Sequence, residues 1–245
     1  MTLNTGATKS TLGSPTPALR YRWLLFDADG TLFDYDRAER AAFEKSLSRI
    51  GVPFDSSYLA TYQEINRGLW QAVEKGEITP GVVKVRRFEL LLEAIGVAYS
   101  PADLSARYLE CLAGCSELVE GAEGVLGALH SKYHIAILTN GLTVVQRGRV
   151  ARSVIRHHIF DLIISEEIGA AKPAREFFDA AFARLGHPPK REVLMIGDGW
   201  ASDIQGAVQY GIDACLYNPG RKPRPADYEI TREIASLGEL TAWLC

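Results

Sequence analysis

Five short apolar runs, each closing on a polar or acidic residue, constrain the fold of this chain more than any other feature. They are YRWLLFDAD at 21–29, HIAILTN at 134–140, FDLIISE at 160–166, EVLMIGD at 192–198 and IDACLYN at 212–218. A short, continuous apolar run bounded by a turn signal is the pattern of a strand buried on both faces. Between the later runs lie helix-like segments at 143–156, 174–186 and 202–211. Strands alternating with helices of this length require crossover connections, which give a parallel sheet covered on both sides. The expected fold class is α/β with a doubly wound parallel core.

The rhythm breaks once. From Asp36 to Ser116 the chain carries no strand signal and instead offers AERAAFEKSLSRIG, DSSYLATYQEINRGLWQAVEKG, PGVVKVRRFELLLEAIG and PADLSARYLECLAG. Each places apolar residues at helical spacing, and Gly51, Gly76, Gly96 and Gly114 fall where a helix stop is expected. Four helices joined by short loops make a small bundle inserted after the first strand. The expected division is a core of 21–35 and 117–245, with a helical insertion over 36–116. Residues 1–20 are rich in Thr, Ser, Gly, Pro and Ala, contain no acid, and offer too little to bury, so they read as a disordered tail.

Composition narrows the partners. With 27 Lys and Arg against 30 Asp and Glu in 245 residues, the chain lacks the basic excess of a nucleic-acid binder. Charged residues interrupt every hydrophobic run before the roughly 18 to 20 apolar residues needed to span a bilayer. Cys111, Cys115, Cys215 and Cys245 form no Cys-x-x-Cys pair and no zinc spacing with the histidines. Such sparse cysteine fits reduced thiols in a cytoplasm.

In an open parallel sheet, ligands bind beyond the carboxyl ends of the strands. The polar residues expected there are Asp27 and Asp29, Thr139 and Asn140, and Asp198 with Asp203. Lys172 sits in GAAKPAREFF before a helix, where Pro173 can take the first helical position. Clustered carboxylates such as Asp27, Asp29 and Asp198 need positive compensation, which a hard divalent cation such as Mg²⁺ supplies and Lys172 augments. Together these charges suit a phosphoryl group and its transition state. Asp27 can attack phosphorus to form an aspartyl-phosphate. Asp29 can protonate the leaving oxygen and later deprotonate water. Thr139 and the backbone N–H groups of Asn140 and Gly141 can hold phosphate oxygens, with Gly30 and Gly141 allowing close backbone approach. Gly30 and Thr31 begin the turn that leads into the insertion, and Asp34 reads as a hinge or helix-capping residue. Asp203 taken alone reads equally well as part of a first helical turn.

The ordered set DADGT (27–31), LTN (138–140), KP (172–173) and GDGWASD (197–203) resembles the haloacid dehalogenase (HAD) superfamily over residues 21–245. The resemblance implies a Rossmann-like core with a helical cap of the first (C1) type between the first and second motifs. It also implies one Mg²⁺ held by Asp27, Asp198 and the backbone carbonyl of Asp29, with Asp203 orienting Lys172 or the metal's waters. Trp200 departs from the pattern, which commonly has a small polar residue there; a pocket rim or a dimer contact are its two expected places. The segment TYQEINRGLWQAVEKGEIT followed by VRRF, and Thr-Asn-Gly followed by Gln146, are similar to the bacterial pyrimidine 5′-nucleotidase (YjjG-like) branch. That likeness implies a phosphatase acting on pyrimidine nucleoside monophosphates such as UMP, dUMP and dTMP, with Asn66, Trp70 and Arg87 as substrate contacts of the cap.

Other readings stay open from the residues alone. Ile65, Leu69 and Val73 share a helix face on which Trp70 can be bundle core, and Arg87 beside Arg86 can be a solvated or helix-pairing charge. A phosphoglycolate or sugar-phosphate phosphatase, or a phosphomutase, shares the same core chemistry. A non-enzymatic aspartate-phosphorylated switch explains the acid cluster but not the helices inserted above it, and leaves Asp29 without a task. Haloacid dehalogenation is disfavoured, because it has no leaving oxygen for Asp29 to protonate. The expected partner is a small phosphorylated metabolite, met by a monomer or homodimer, with neither nucleic-acid polymer nor membrane involved.

Overall fold

The computed structural model describes residues 20–225 and 229–245. The reading of a disordered tail therefore lies, apart from Arg20, outside the described residues. The chain opens with β1 (Trp23–Phe26) and then enters four helices: α1 (Tyr35–Ser48), α2 (Ser56–Glu74), α3 (Pro80–Ile95) and α4 (Pro101–Ala113). It returns through α5 (Ala122–Leu129), β2 (His134–Thr139), α6 (Thr143–Arg152), β3 (Asp161–Ile164), α7 (Ser165–Ile168) and α8 (Arg175–Arg184). It finishes with β4 (Val193–Gly197), α9 (Gly206–Tyr210), β5 (Asp213–Tyr217), β6 (Arg232–Ile234) and α10 (Gly238–Leu244).

The strands form one parallel sheet in the order β3-β2-β1-β4-β5-β6. Successive strand residues face opposite sides. Leu24, Phe26, Ile135, Ile137, Leu194 and Ile196 pack under α5 and α10. Leu25, Ala136, Leu138 and Met195 pack under α8 and α9. β1 lies at the centre, where the winding reverses, and the register sets Phe26 opposite both Ile137 and Ile196. The carboxyl ends of β1, β2 and β4 therefore finish side by side, which is where such a sheet binds ligands.

The insertion has its own core. Each helix contributes one aromatic ring: Phe43, Tyr62, Phe88 and Tyr108, with neighbouring centroids 5.0 to 5.5 Å apart. Offset and tilted rings at this spacing add favourable quadrupole contacts to the apolar area they bury. Asp34 caps α1, its carboxylate accepting from the Arg37 N–H at 3.1 Å, in line with the capping reading. The two passages between sheet and insertion are stitched together, since Asp34 N–H donates to the Glu117 carbonyl and Val119 N–H to the Leu32 carbonyl, both at 3.0 Å.

Several boundaries differ from the sequence expectation. The helix expected over 143–156 ends at Arg152 and continues as a 3₁₀ segment, Val154–His158. The one expected over 202–211 begins as a π turn, Trp200–Gln205, and becomes α-helical only at Gly206. Pro173 does not open α8, which starts at Arg175; the Lys172–Pro173 peptide is cis. α5, α7, β6 and α10 were not expected from the sequence, and the strand expected over 160–166 ends at Ile164. No helix among the described residues is long and apolar enough to cross a membrane.

Candidate active site

The carboxyl end of β1 delivers Asp27, itself buried, into an acidic cluster. Carboxylate oxygens of Asp27, Asp198 and Asp203 all lie within 4.8 Å of one another. Lys172 is 1% exposed and is driven among them, its Nζ donating to Asp27 Oδ1, Asp203 Oδ1 and the Leu138 carbonyl, each at 2.6 Å. Burial disfavours its charge, yet Asp203 and Asp27 together hold its pKa above the ordinary lysine value. Burial raises the Asp27 carboxyl to about 7, against the pull of Lys172 and with repulsion from Asp203 adding to it. Burial likewise raises Asp203. Asp198 keeps one side open to solvent; desolvation of the rest of the carboxyl, then repulsion from Asp27, push it up to about 6. One ammonium thus leaves three carboxylates short of positive charge.

Backbone geometry sets where that shortage sits. Both Asp203 oxygens are engaged, Oδ1 by Lys172 and Oδ2 by the Gly199 N–H at 2.9 Å. The π turn is what returns Asp203 beneath the end of β4; it is 1% exposed and serves the site rather than opening a helix in solvent. Thr31 fixes Asp198, its hydroxyl donating to Oδ1 at 2.9 Å while accepting the Asp198 N–H at 3.0 Å. Gly30 adopts φ +82, and a Cβ there would lie 2.5 Å from Asp198 Oδ2, so only glycine lets this turn approach the acid. The shortage of positive charge therefore lies with Asp27 and Asp198. These are hard oxygen donors of the kind that hold Mg²⁺ while leaving positions for water and a phosphate.

Asp29 points elsewhere. Its Oδ2 accepts from Gln146 Nε2 at 2.6 Å, and its Oδ1 is paired with Arg149 Nη1. Its carboxylate is thus engaged by α6. Gly141 makes room for this arrangement, because a Cβ there would meet Gln146 Nε2 at 2.8 Å.

One expected phosphate contact, the Gly141 N–H, is otherwise occupied, since it donates to Ser165 Oγ at 3.0 Å. The Asn140 side chain grips the Lys172 segment, Nδ2 donating to the Lys172 carbonyl and Oδ1 accepting the Lys172 N–H, both at 2.8 Å. It thereby positions the lysine. Thr139 is buried at the end of β2.

A cavity of about 690 Å³ opens between the sheet ends and the inserted helices, within the range of small-molecule sites. Asp29, Asn140, Gly141 and Gln146 line it from below, and Glu39, Asn66, Trp70 and Arg87 from above. Arg87 is 2% exposed, so it is no solvated charge. Its Nη1 donates to Tyr62 Oη at 3.1 Å and Asn66 Oδ1 at 3.2 Å, and its guanidinium carbon lies 4.8 Å from the Tyr108 ring centroid. Asn66 in turn donates to Glu39 Oε1 and Tyr35 Oη, each at 3.2 Å, and Gln63 donates to Glu39 Oε2 at 2.9 Å. Burial raises the Glu39 carboxyl above its usual range. Trp70 packs on the bundle core, one of its two expected places, and on Val73, Val83 and Ala171, and it also lines the cavity. Trp200 is partly buried, packing against the apolar layer under α8 and α9, and it is not among the residues that line the cavity.

The structure thus brings Asp27, Lys172, Asp198 and Asp203 together, and gathers Asp29, Asn66, Trp70 and Arg87 round one cavity. Sequence reasoning missed Thr31, Glu39 and Arg149. The signal for Arg149 was present, since Gln146 and Arg149 are three apart and share a helix face that follows the second motif.

Comparison with known proteins agrees with this geometry. The haloacid dehalogenase-like hydrolase family model matches residues 21–211. The pyrimidine 5′-nucleotidase YjjG of Escherichia coli is 33% identical over 93% of this chain and 99% of its own. The pyrimidine 5′-nucleotidase PynA of Streptococcus pneumoniae is 33% identical over 90% and 93%. The structure of the HAD-hydrolase YfnB of Bacillus subtilis, bound to magnesium, superposes with a TM-score of 0.85 at 34% identity, over 92% of this chain and 99% of that one. With four acidic and basic motif residues converging at the sheet's carboxyl edge and a family match across most of its length, the chain belongs to the haloacid dehalogenase-like hydrolases.

Proposed function

We propose that the protein is a Mg²⁺-dependent phosphomonoester hydrolase that works through an aspartyl-phosphate on Asp27 and prefers pyrimidine nucleoside monophosphates such as UMP, dUMP and dTMP. The observation that carries the reading is Asp27 at the end of β1, bonded to Lys172 at 2.6 Å inside an acidic cluster short of positive charge. Asp27, Asp198 and the Asp29 carbonyl would hold the metal. When bound, Mg²⁺ neutralises negative charge on the carboxylates and on a phosphate.

The chain's own groups divide the remaining work. The Asp27 carboxylate attacks phosphorus, the P–O ester bond breaks, and the departing oxygen takes a proton from the Asp29 carboxyl. Water then attacks the phosphorus of the aspartyl-phosphate and gives its proton to Asp29, which releases inorganic phosphate and restores Asp27. Lys172, fixed by Asp203 and the Leu138 carbonyl, offers a preorganised positive charge to the transferring group. Asn140 keeps the lysine's backbone in place.

Helices over 36–116 act as a cap in this reading and choose the leaving group. The substrate class rests on the two relatives named pyrimidine 5′-nucleotidases and on the cavity that Asn66, Trp70 and Arg87 share with Asp29. A cavity of this size suits a small metabolite met in the cytoplasm rather than a polymer. Phosphate release from a panel of nucleoside monophosphates, sugar phosphates and phosphoglycolate, with and without Mg²⁺, tests the reading. UMP and dTMP should lead in Mg²⁺ alone; preference for a sugar phosphate would overturn the substrate class.

A further inference from the structure

Arg149 is fully buried and touches three groups. Its Nη1 is paired with Asp29 Oδ1. Its Nε donates to the Cys115 carbonyl at 3.0 Å. Its guanidinium carbon lies 4.6 Å from the Phe33 ring centroid. Phe33 stands on the passage by which the chain enters the inserted helices and Cys115 on the passage by which it leaves. The passages are joined to each other by an antiparallel bridge between Phe33 and Leu118. Asp29 and Phe33 are also bridged. Gln146, one turn before Arg149 on α6, holds the second oxygen of Asp29. The Asp29 carboxylate is therefore oriented by α6, and the guanidinium that orients it is itself seated on both passages.

We propose that Arg149 is a positioning residue that ties the orientation of the Asp29 carboxyl to the two passages carrying the cap, so that cap placement is read out at the acid rather than at the nucleophile. The inference rests on the acid/base reading of Asp29. Lysine cannot replace Arg149, because its single nitrogen cannot reach Asp29 and the Cys115 carbonyl in the fork that a guanidinium spans.

The test separates leaving groups. An alkyl phosphate such as UMP needs a proton on its departing oxygen, whereas p-nitrophenyl phosphate releases a stable phenolate without one. The ratio kcat/KM reports only the steps up to departure, so hydrolysis of the phosphoenzyme does not enter. Arg149→Lys should lose about tenfold or more in kcat/KM on UMP relative to its loss on p-nitrophenyl phosphate, as expected for disturbed general acid catalysis. Phe33→Leu, which leaves every Asp29 contact in place, should show the same bias to a smaller degree, and Gln146→Met should resemble Arg149→Lys. If Arg149→Lys does not fold, as judged by circular dichroism and thermal midpoint, Phe33→Leu and Gln146→Met carry the test. Equal losses on the two substrates in the folded variants overturn the proposal. Asp29→Asn separates the two levels: if it shows the bias while the other variants do not, only the role of Arg149 falls. If Asp29→Asn itself lowers both substrates equally, the acid/base reading fails and takes this inference with it.

Discussion

Replacing Lys172 by Met tests the electrostatics of the site at its centre. The ammonium is 1% exposed and makes three 2.6 Å bonds, two of them to the carboxylates of Asp27 and Asp203. Methionine fills much the same volume, so the change removes charge without opening a cavity. Breaking a buried pair while its partners stay charged costs about 3–5 kcal/mol. In a chain of this size each kcal/mol moves the thermal midpoint by about 2–4 °C, so the drop should be about 6–20 °C near neutral pH. The pH dependence gives the sharper test. Lys172 has a folded-state pKa above its unfolded value, so its stabilisation is fully present below the ordinary lysine pKa and fades only as pH rises through the folded one. At the acidic side the partners decide. Asp27 is raised to about 7 by burial even with Lys172 in place, so at about pH 5 it carries a proton and the lost ammonium matters less. The midpoint difference between wild type and Lys172→Met, measured without metal at about pH 7.5 and about pH 5, should shrink on acidification. A variant as stable as wild type at the higher pH, or a loss equal at both, would refute the reasoning.

Metal binding should show the complementary sign. Because the Asp27 and Asp198 carboxyls are raised to about 7 and about 6, mainly by burial, the folded state holds extra protons between their ordinary range and those values, and its stability falls as pH rises through that window. The thermal shift on adding Mg²⁺ should therefore be larger at about pH 7.5 than at about pH 5; an equal shift contradicts the assignment. Gly141→Ala places a Cβ 2.8 Å from Gln146 Nε2. It should displace that side chain from Asp29 and slow turnover of alkyl phosphates, while the thermal midpoint changes by no more than about 4 °C. Arg87→Met should cost about 1–3 kcal/mol by leaving Tyr62 and Asn66 unpaired in a buried network, and should raise KM for UMP more than it lowers kcat. An unchanged KM removes Arg87 from the substrate contacts.

Much of this architecture is legible in the residues. β1 to β5 announce themselves because each is an apolar run buried on both faces, and the four inserted helices because each carries a full apolar stripe. What escaped is short or small. β6 is three residues at the sheet edge with two of them exposed, so it lacks an apolar run. α5 is eight residues, half of them Ala or Gly, too short for periodicity to speak. In the site, Asp27, Asp198 and Lys172 stand out because charge at the end of a buried strand or before a helix is costly. Arg149 does not, and Arg87 does so only through the resemblance, since a buried arginine and a solvated one look alike in sequence, and only the packing of Phe33 or of the aromatic quartet tells them apart. Gly141 reads as a phosphate contact from its motif, but Ser165 takes its N–H, a partner 24 residues away that local pattern cannot supply.

The most direct measurement is to trap the covalent intermediate. Wild type and Asp29→Asn, mixed with UMP and Mg²⁺, are quenched in acid within one turnover and mapped by peptide mass spectrometry. The account predicts a phosphoryl group on the peptide that contains Asp27, accumulating in Asp29→Asn, where its hydrolysis is slowed, and absent from Asp27→Asn, which should release no phosphate. Phosphate release by Asp27→Asn at the wild-type rate, with no phosphorylated peptide in any variant, would contradict it.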